Sequence, residues 1–351
     1  MAAKKSVGVL MGGISPEHPV SLVSGTGMLK NLDPERYRGF PILISKENTW
    51  IWPDQSDTNS ASTTAINALV DSPEKAAACI QNPPPGWQVA RFPDFKTFPH
   101  CDLMLIGLHG VGGEDGRLQG FFELAGQRYT GSGSLGSALA MDKITAKRIY
   151  QAGGIPTARF RVLEKGEYAT ARVSLEKEFG YPVVLKNPQG GSSLGMGIAK
   201  NAAELDDLLI SLGTGSDRLL VEEFIKGREG TCGFLAGFMP LPPTEIRPIQ
   251  DGFFNFEAKY KAGRTEEVTP AEFPAAIISE MQSLAARCHE ALQLSVYSRT
   301  DFIYAQDRLF VLETNNLPGF TPTSLLPQAA AHVGLSYRNL LNKIIEESLK
   351  K

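Results

Sequence analysis

Ser298-Arg299-Thr300-Asp301-Phe302-Ile303-Tyr304 runs through Ala305-Gln306-Asp307-Arg308 into Leu309-Phe310-Val311-Leu312-Glu313-Thr314-Asn315. Two β-type runs flank a short polar connection, which is the spacing of a hairpin. Side chains alternate along a strand, so Arg299 and Asp301 share one face, and Glu313 and Asn315 share a face of the partner. Folding near residues 305–308 sets Asp301 roughly opposite Glu313. A guanidinium, two carboxylates and an amide oxygen then occupy one patch. Hard oxygen ligands of this kind suit Mg²⁺, which is normally shared with nucleotide phosphates. Alone, the same residues fit a surface salt bridge between Arg299 and Asp301 equally well.

The chain around this hairpin has 351 residues, enough for two or three domains. With 42% hydrophobic and 21% charged residues it can bury a sizeable core. A net charge of -3 gives no reason to expect nucleic acid or an anionic membrane as partner. No apolar run is long enough to span a bilayer, and Val7–Met11 is too short for a signal-peptide core. Cys79, Cys101, Cys232 and Cys288 are scattered, which argues against a zinc site or a disulfide framework and fits reduced thiols in a cytoplasm.

Strands and helices alternate early in the chain. Ser6–Met11, Phe40–Ile44 and Asp102–Leu108 read as buried strands, and Val20–Leu32 and Leu118–Ala125 as helices. This pattern predicts a parallel sheet in a first α/β domain, with residues 53–75 as a polar surface excursion. A second unit opens near Ala140. It begins with a helix from Asp142 to Gly153, with Asp142 as N-cap. Further strands (Ala158–Leu163, Tyr181–Lys186, Arg218–Ile225) and helices (Ser174–Phe179, Asn201–Ser211) follow. Residues after about 228 form a third unit, with a long helix over Ala275–Leu294, the hairpin, and an amphipathic helix over Tyr337–Leu349.

Four other stretches carry chemistry. Lys186-Asn-Pro-Gln-Gly-Gly-Ser-Ser-Leu-Gly-Met-Gly197 follows an apolar strand. Its glycines let backbone N–H groups approach a phosphate, its serines add donors and its lysine adds charge. A plain flexible turn is the alternative. Val221-Glu222-Glu223-Phe224-Ile225, then Gly227-Arg228-Glu229, reads as a strand whose exposed backbone could meet an adenine edge, with an acid placed for ribose hydroxyls. Solvated charge at a strand end is the plainer reading. Gly107-Leu108-His109-Gly110-Val111-Gly112-Gly113-Glu114-Asp115-Gly116 lies after a buried strand, where α/β proteins place ligands, although a lone loop histidine is usually structural. Gly12-Gly13-Ile14-Ser15-Pro16-Glu17 follows the first strand in the same way. Glu17 could hold a ligand ammonium or merely favour a helix N-terminus.

In this order the five pieces resemble the D-alanine:D-alanine ligases of the ATP-grasp superfamily, over nearly the whole chain. Met141-Asp142-Lys143 is similar to the family's phosphate-contacting lysine region, and Glu257-Ala258-Lys259-Tyr260 to its mobile loop. Asn316-Leu317-Pro318-Gly319-Phe320-Thr321 extends the hairpin into the family's metal and oxyanion region. The resemblance implies that Lys143, Lys186 and Ser193 contact ATP phosphates and that Lys259 reaches the transferred one. It implies an adenine site lined by Glu222, Glu223, Phe224 and Ile225, with Glu229 on the ribose. Asp301, Glu313 and Asn315 would hold two Mg²⁺, or Mn²⁺. Glu17 would bind the first D-alanine's ammonium, linked through Ser192 to Tyr260, with His109 beside the substrate. Arg299 and the Gly319 backbone would form an oxyanion hole. Ser324 and Leu325 would bind the second D-alanine's carboxylate. Pro19, the Asn-Pro-Gln-Gly turn and Glu223 depart from what many relatives carry.

The resemblance therefore implies an α/β protein, α+β overall, with a three-domain ATP-grasp fold. The expected units are an N-terminal parallel-sheet domain over 1–139 and two domains, 140–228 and 229–351, that clamp ATP. The implied reaction is ATP-dependent joining of two D-alanines through an acyl phosphate, for peptidoglycan precursors, by a cytoplasmic homodimer with no nucleic-acid or membrane partner. A D-alanine:D-lactate or other carboxylate–amine ligase of the same fold is the alternative. A nucleotide-binding regulatory protein without catalysis is the reading from another class.

Overall fold

A computed structural model of the chain describes residues 3–54, 66–91, 97–191, 195–238, 240–249 and 265–351. Three sheets organise them. The first has the order β4-β3-β2-β1-β5, built from β1 (Lys5–Gly12), β2 (Tyr37–Ile44), β3 (Thr49–Pro53), β4 (Trp87–Arg91) and β5 (Leu103–Ile106). Strands β2, β1 and β5 run parallel, as their unbroken apolar sequences predict, because both faces of such strands are buried. The antiparallel edge made by β3 and β4 departs from the all-parallel expectation. β3 is a short Trp-rich hairpin partner of β2 that directly follows the turn at Asn48. Helix α1 (His18–Asn31) follows β1 through a glycine pair. Gly12 has φ +95°, and a Cβ there would lie 2.2 Å from the Ile44 carbonyl oxygen, so no other residue fits. Helix α2 (Pro73–Gln81) occupies the end of the segment read as an excursion.

The second sheet is fully antiparallel, in the order β6-β9-β7-β8: β6 (Phe160–Glu164), β9 (Arg218–Glu223), β7 (Val183–Lys186) and β8 (Met196–Ala199). Helix α6 (Arg172–Phe179) and helix α7 (Ala202–Gly213) pack with it around Leu163, Leu175, Leu185, Leu205 and Leu219. Three more helices come earlier in the chain: α3 (Arg117–Leu124), α4 (Ser134–Met141) and α5 (Lys143–Ala152). The Asp142 side chain accepts from the Thr145 N–H at 2.8 Å and so starts α5 as predicted. Lys147 on α5 meets Glu222 of β9, while the apolar face of the helix turns from the second sheet to the third. Its Ala146 and Tyr150 join a core with Met281, Cys288, Phe302 and Val311.

The third sheet has the order β12-β11-β10-β13-β14, with β10 (Arg228–Leu235), β11 (Thr244–Pro248), β12 (Thr265–Val268), β13 (Tyr297–Ala305) and β14 (Arg308–Asn315). Helix α8 (Ala275–Ala291) covers one face. The core of the first sheet continues into this region, through Tyr297, Leu317, Phe320, helix α9 (Leu325–His332) and helix α10 (Tyr337–Ser348). That continuity fixes the loops after β1 and β5 against the end of β14. Among the described residues no helix is long and apolar enough to cross a membrane.

Candidate active site

The hairpin forms as its sequence predicts, and one irregularity makes its chemistry possible. Gln306 and Asp307 turn the chain with φ of 51° and 56°, the left-handed pair of a two-residue hairpin loop. From that turn Ala305 pairs with Arg308 and Phe302 with Val311. A regular ladder would next place Leu312 opposite Asp301. Instead a bulge between Asp301 and Phe302 shifts the register, and Asp301 faces Glu313 while Arg299 faces Asn315. The extra residue reverses which side chains point at the core. Phe302 and Val311 stay fully buried, and Asp301, Glu313, Arg299 and Asn315 all line a cavity.

Asp301 is held from three sides. Arg299 Nε and Nη2 each donate to it at 2.9 Å, Thr231 Oγ1 at 2.6 Å and Asn315 Nδ2 at 3.1 Å. Lys143, the first residue of α5, meets Glu313 at 3.0 Å and donates to the Gly190 carbonyl oxygen at 2.6 Å. Behind the strand, Thr314 accepts from Tyr150 at 2.8 Å and sits 3.0 Å from Thr300, which pins the register between Glu313 and Asn315. Among the described residues no group of three or more His, Cys, Asp and Glu could hold a metal ion. Two carboxylates and an amide nevertheless fit Mg²⁺, which keeps several positions for water and phosphate oxygens.

The cavity has a volume of about 590 Å³ and gathers residues from distant parts of the chain: Glu17, His109, Lys143, Glu229, Gly319, Ser324 and Leu325 beside the hairpin set. Glu17 lies at the start of α1, buried, with its N–H on Ser15 Oγ at 3.1 Å. Cβ atoms on Gly110 and Gly191 would approach its Oε2 to 2.8 and 3.3 Å, so glycines bring both loops against the carboxylate. His109 bridges Ser24 Oγ at 2.9 Å and the Leu317 carbonyl oxygen at 3.3 Å, and burial lowers its pKa. Burial and the nearby Glu17 push Glu114, which accepts from the Gly110 N–H at 2.8 Å, up to about 8. Neither the burial of His109 nor the proton affinity of Glu114 is visible in the loop's sequence. Ser324 precedes α9, whose N-terminal N–H groups suit an anion.

Lys186, Glu222, Glu223, Phe224 and Ile225 do not line that cavity. Lys186 pairs with Glu222 Oε2, and Lys147 meets Glu222 Oε1 at 2.5 Å. Burial favours the neutral acid at Glu222, but Lys186 and Lys147 outweigh it and hold the group at about 2. Glu223 pairs with Arg159 at 2.8 Å, in addition to accepting the Arg159 N–H. Lys147 has no place in the sequence reading. The available signal was Lys143 and Lys147 at i and i+4 with no acid on their helix, a like-charge pair that asks for a carboxylate from elsewhere. Ser192, Ser193, Lys259 and Tyr260 lie outside the described residues.

One mixed and two antiparallel sheets, with a charged cavity walled by a carboxylate-bearing hairpin and Lys143, are the architecture of an ATP-grasp ligase. Sequence profiles for the D-ala D-ala ligase N-terminus and C-terminus match residues 6–132 and 149–346. The D-alanine–D-alanine ligase of Leptospira biflexa is 38% identical over 99% of both chains, and that of Desulfotalea psychrophila is 37% identical over 100% of this chain and 97% of its own. The crystal structure of the Bacillus anthracis D-alanine–D-alanine ligase complexed with ATP matches with a TM-score of 0.73 and 31% identity, over 99% of this chain and 98% of that one. The VanG D-Ala:D-Ser ligase of Enterococcus faecalis matches at 0.83 and 28%, over 99% and 100%. The chain belongs to the D-alanine–D-alanine ligase family. It is an ATP-dependent enzyme of that family, with the mixed α/β architecture the hairpin and loops predicted.

Proposed function

We propose that this chain joins two D-alanines, forming ADP, phosphate and D-alanyl-D-alanine for peptidoglycan precursors. The observation that carries the reading is the convergence of Glu17, Arg299 and Ser324 on one cavity beside Lys143 and Glu313. A carboxylate is a poor electrophile, so its oxygen first takes the γ-phosphoryl group of ATP and ADP leaves. The amine of the second D-alanine then forms the C–N bond, the C–O bond to phosphate breaks, and the amine's proton passes to solvent. Glu17 holds the first substrate's ammonium, with His109 keeping the surrounding loop against Leu317. Arg299 and the Gly319 N–H stabilise the tetrahedral oxyanion. Ser324 and Leu325 at the α9 N-terminus take the second substrate's carboxylate. Lys143, Lys186, Ser193 and Lys259 meet the phosphates, Glu222 to Ile225 the adenine, and Glu229 the ribose. Ser192 and Tyr260 link to Glu17 and exclude water from the acyl phosphate. Asp301, Glu313 and Asn315 would hold two Mg²⁺, which would supply positive charge beside the transferred group. Units 1–139, 140–228 and 229–351 close on ATP, and the enzyme works as a cytoplasmic homodimer.

Mass spectrometry of products made with ATP, Mg²⁺ and a panel of D-alanine, D-serine and D-lactate tests this. D-Alanyl-D-alanine should dominate at pH 8. D-Serine belongs in the panel because a D-Ala:D-Ser ligase shares the fold over the full chain. A predominantly depsipeptide product would replace the reading with the ester-forming alternative.

A further inference from the structure

Lys147 is 1% exposed and lies one helical turn after Lys143. The two amines leave the same face of α5, one into the cavity and one beneath it. Lys147 Nζ donates to Thr157 Oγ1 at 2.5 Å and to the Ala158 carbonyl oxygen at 3.4 Å, and forms an ion pair with Glu222 Oε1 at 2.5 Å. Thr157 donates its own hydroxyl proton to the Val311 carbonyl oxygen at 2.8 Å, so Thr157 Oγ1 can only accept from the amine. A carboxylate oxygen 2.5 Å from Nζ favours the ammonium over the neutral amine. Burial pushes the Lys147 pKa down and Glu222 pulls it back, and this geometry keeps the charge. Glu222, 2% exposed, is therefore shared between two ammonium groups, with Lys186 on its other oxygen. Two positive charges meet one negative charge, and the cluster keeps one in excess.

We propose that Lys147 is a positioning residue for nucleotide binding: by holding Glu222, it prevents Glu222 from neutralising the charge that Lys186 presents to the phosphates of ATP. This rests on the reading of Lys186 as a phosphate contact. Without Lys147 the cluster becomes a closed pair of Lys186 and Glu222, with no charge left over. Without both Lys147 and the Glu222 charge, Lys186 again carries one positive charge, as in the unmodified protein. A Lys147 that merely fills space would show no such reciprocity, because Glu222→Gln cannot restore lost packing.

The test is titration calorimetry of MgATP into the whole enzyme without D-alanine, for the unmodified protein, K147M, E222Q, K147M/E222Q and K186M, with thermal unfolding to establish folding. K147M should raise the Kd for ATP roughly tenfold, equivalent to about 1.4 kcal/mol, with the KM for D-alanine at saturating ATP unchanged. K147M/E222Q should bind MgATP within about threefold of E222Q, because Lys186 has no carboxylate at 222 to pair with in either variant. An unchanged Kd in K147M beside a weakened K186M would overturn the role of Lys147 and leave the phosphate reading standing. A folded K147M/E222Q that binds tenfold more weakly than E222Q would overturn it too, by making Lys147 a packing residue. If K147M does not fold, the double variant against E222Q decides in the same terms. An unchanged Kd in K186M would remove the phosphate reading itself, and the proposal with it.

Discussion

Two lysine–glutamate contacts start one turn apart on α5 and end in opposite surroundings. Lys143 and Glu313 meet at 3.0 Å in the cavity wall, with side chains 17% and 28% exposed. Lys147 and Glu222 meet at 2.5 Å with side chains 1% and 3% exposed. The chemistry is the same and the solvent is not. An ion pair in contact with water can be taken apart by a competing ligand, because water and that ligand replace what each partner loses. A buried pair cannot, because separating it leaves a charge in a medium that does not solvate it. On the proposed function, Lys143 and Glu313, which meet phosphate and metal in turn, belong to the first kind, and Lys147 with Glu222, which set the field beneath Lys186, to the second.

The largest expected effect lies at the cavity pair. Glu313→Gln keeps size and one oxygen acceptor but removes the negative charge that faces Lys143 and Asp301 across the hairpin. Turnover at ordinary Mg²⁺ should fall by at least about 10²-fold, the scale of losing one electrostatic stabiliser in a preorganised site. Thermal stability should change by less than about 1 kcal/mol, as for a solvent-contacting pair. Near-normal turnover would mean that Glu313 serves only to hold Lys143. At the buried cluster the ordering inverts. Glu222→Gln removes the buried charge that Lys147 and Lys186 share, and urea unfolding should show a loss on the order of 3–5 kcal/mol. A loss no larger than that of Glu313→Gln would erase the distinction between the two pairs.

The hairpin shows how far sequence carries and where it stops. Alternation gave Arg299, Asp301, Glu313 and Asn315 their faces, and β-type residues with a polar turn gave the strands. The bulge that puts Glu313 opposite Asp301 has no local signature, because Leu312 suits a strand whether or not it is the extra residue. Continuous apolar runs identified β1, β2 and β5. The antiparallel edge of β3 and β4 escaped because Thr49–Pro53 is short and its partner lies past a long polar stretch. The packing of Ala146 and Tyr150 against Phe302 and Val311, and of α10 against the first core, is tertiary. Periodicity names a buried face without naming what covers it. Lys147 was missed for the same reason.

Protonation gives a smaller and sharper contrast. Glu222, held at about 2 against an ordinary 4.5, contributes stability that is present above its unfolded pKa and lost as pH falls from about 4.5 through 2. Glu114 is raised to about 8, first by burial and then by Glu17, so it contributes stability below its unfolded pKa that is lost as pH rises from about 4.5 through 8. Urea midpoints measured from pH 5 to 9 should therefore decline toward the alkaline side, and Glu114→Gln, neutral throughout, should flatten that decline. Equal slopes in both proteins would show that Glu114 is ionised in the folded state at neutral pH.

The smallest effect is expected at the turn that joins the two strands of the hairpin, far from any charge the reaction needs. Gln306 adopts φ of 51° and Asp307 φ of 56°, and Asp307 Oδ1 accepts from Tyr304 OH at 2.8 Å. A side chain with a Cβ and no short polar group is disfavoured in this left-handed region by about 1–2 kcal/mol, and Asn tolerates it better because its amide bonds locally. Gln306→Asn leaves Asp307 and its tyrosine contact in place. It should stabilise the protein by roughly 0.5 kcal/mol, a fraction of that penalty, and leave turnover unchanged. The two readouts separate the causes of register. The turn fixes the pairing from Ala305–Arg308 up to Phe302–Val311, whereas the bulge fixes the pairing of Asp301 with Glu313. A stabilised turn with intact activity means that the bulge holds its own register, backed by Thr314 on Tyr150 and Thr300. A fall in turnover on improving the turn would show instead that the catalytic register is propagated from the turn, and Gln306 would then be part of the machinery it appears only to connect.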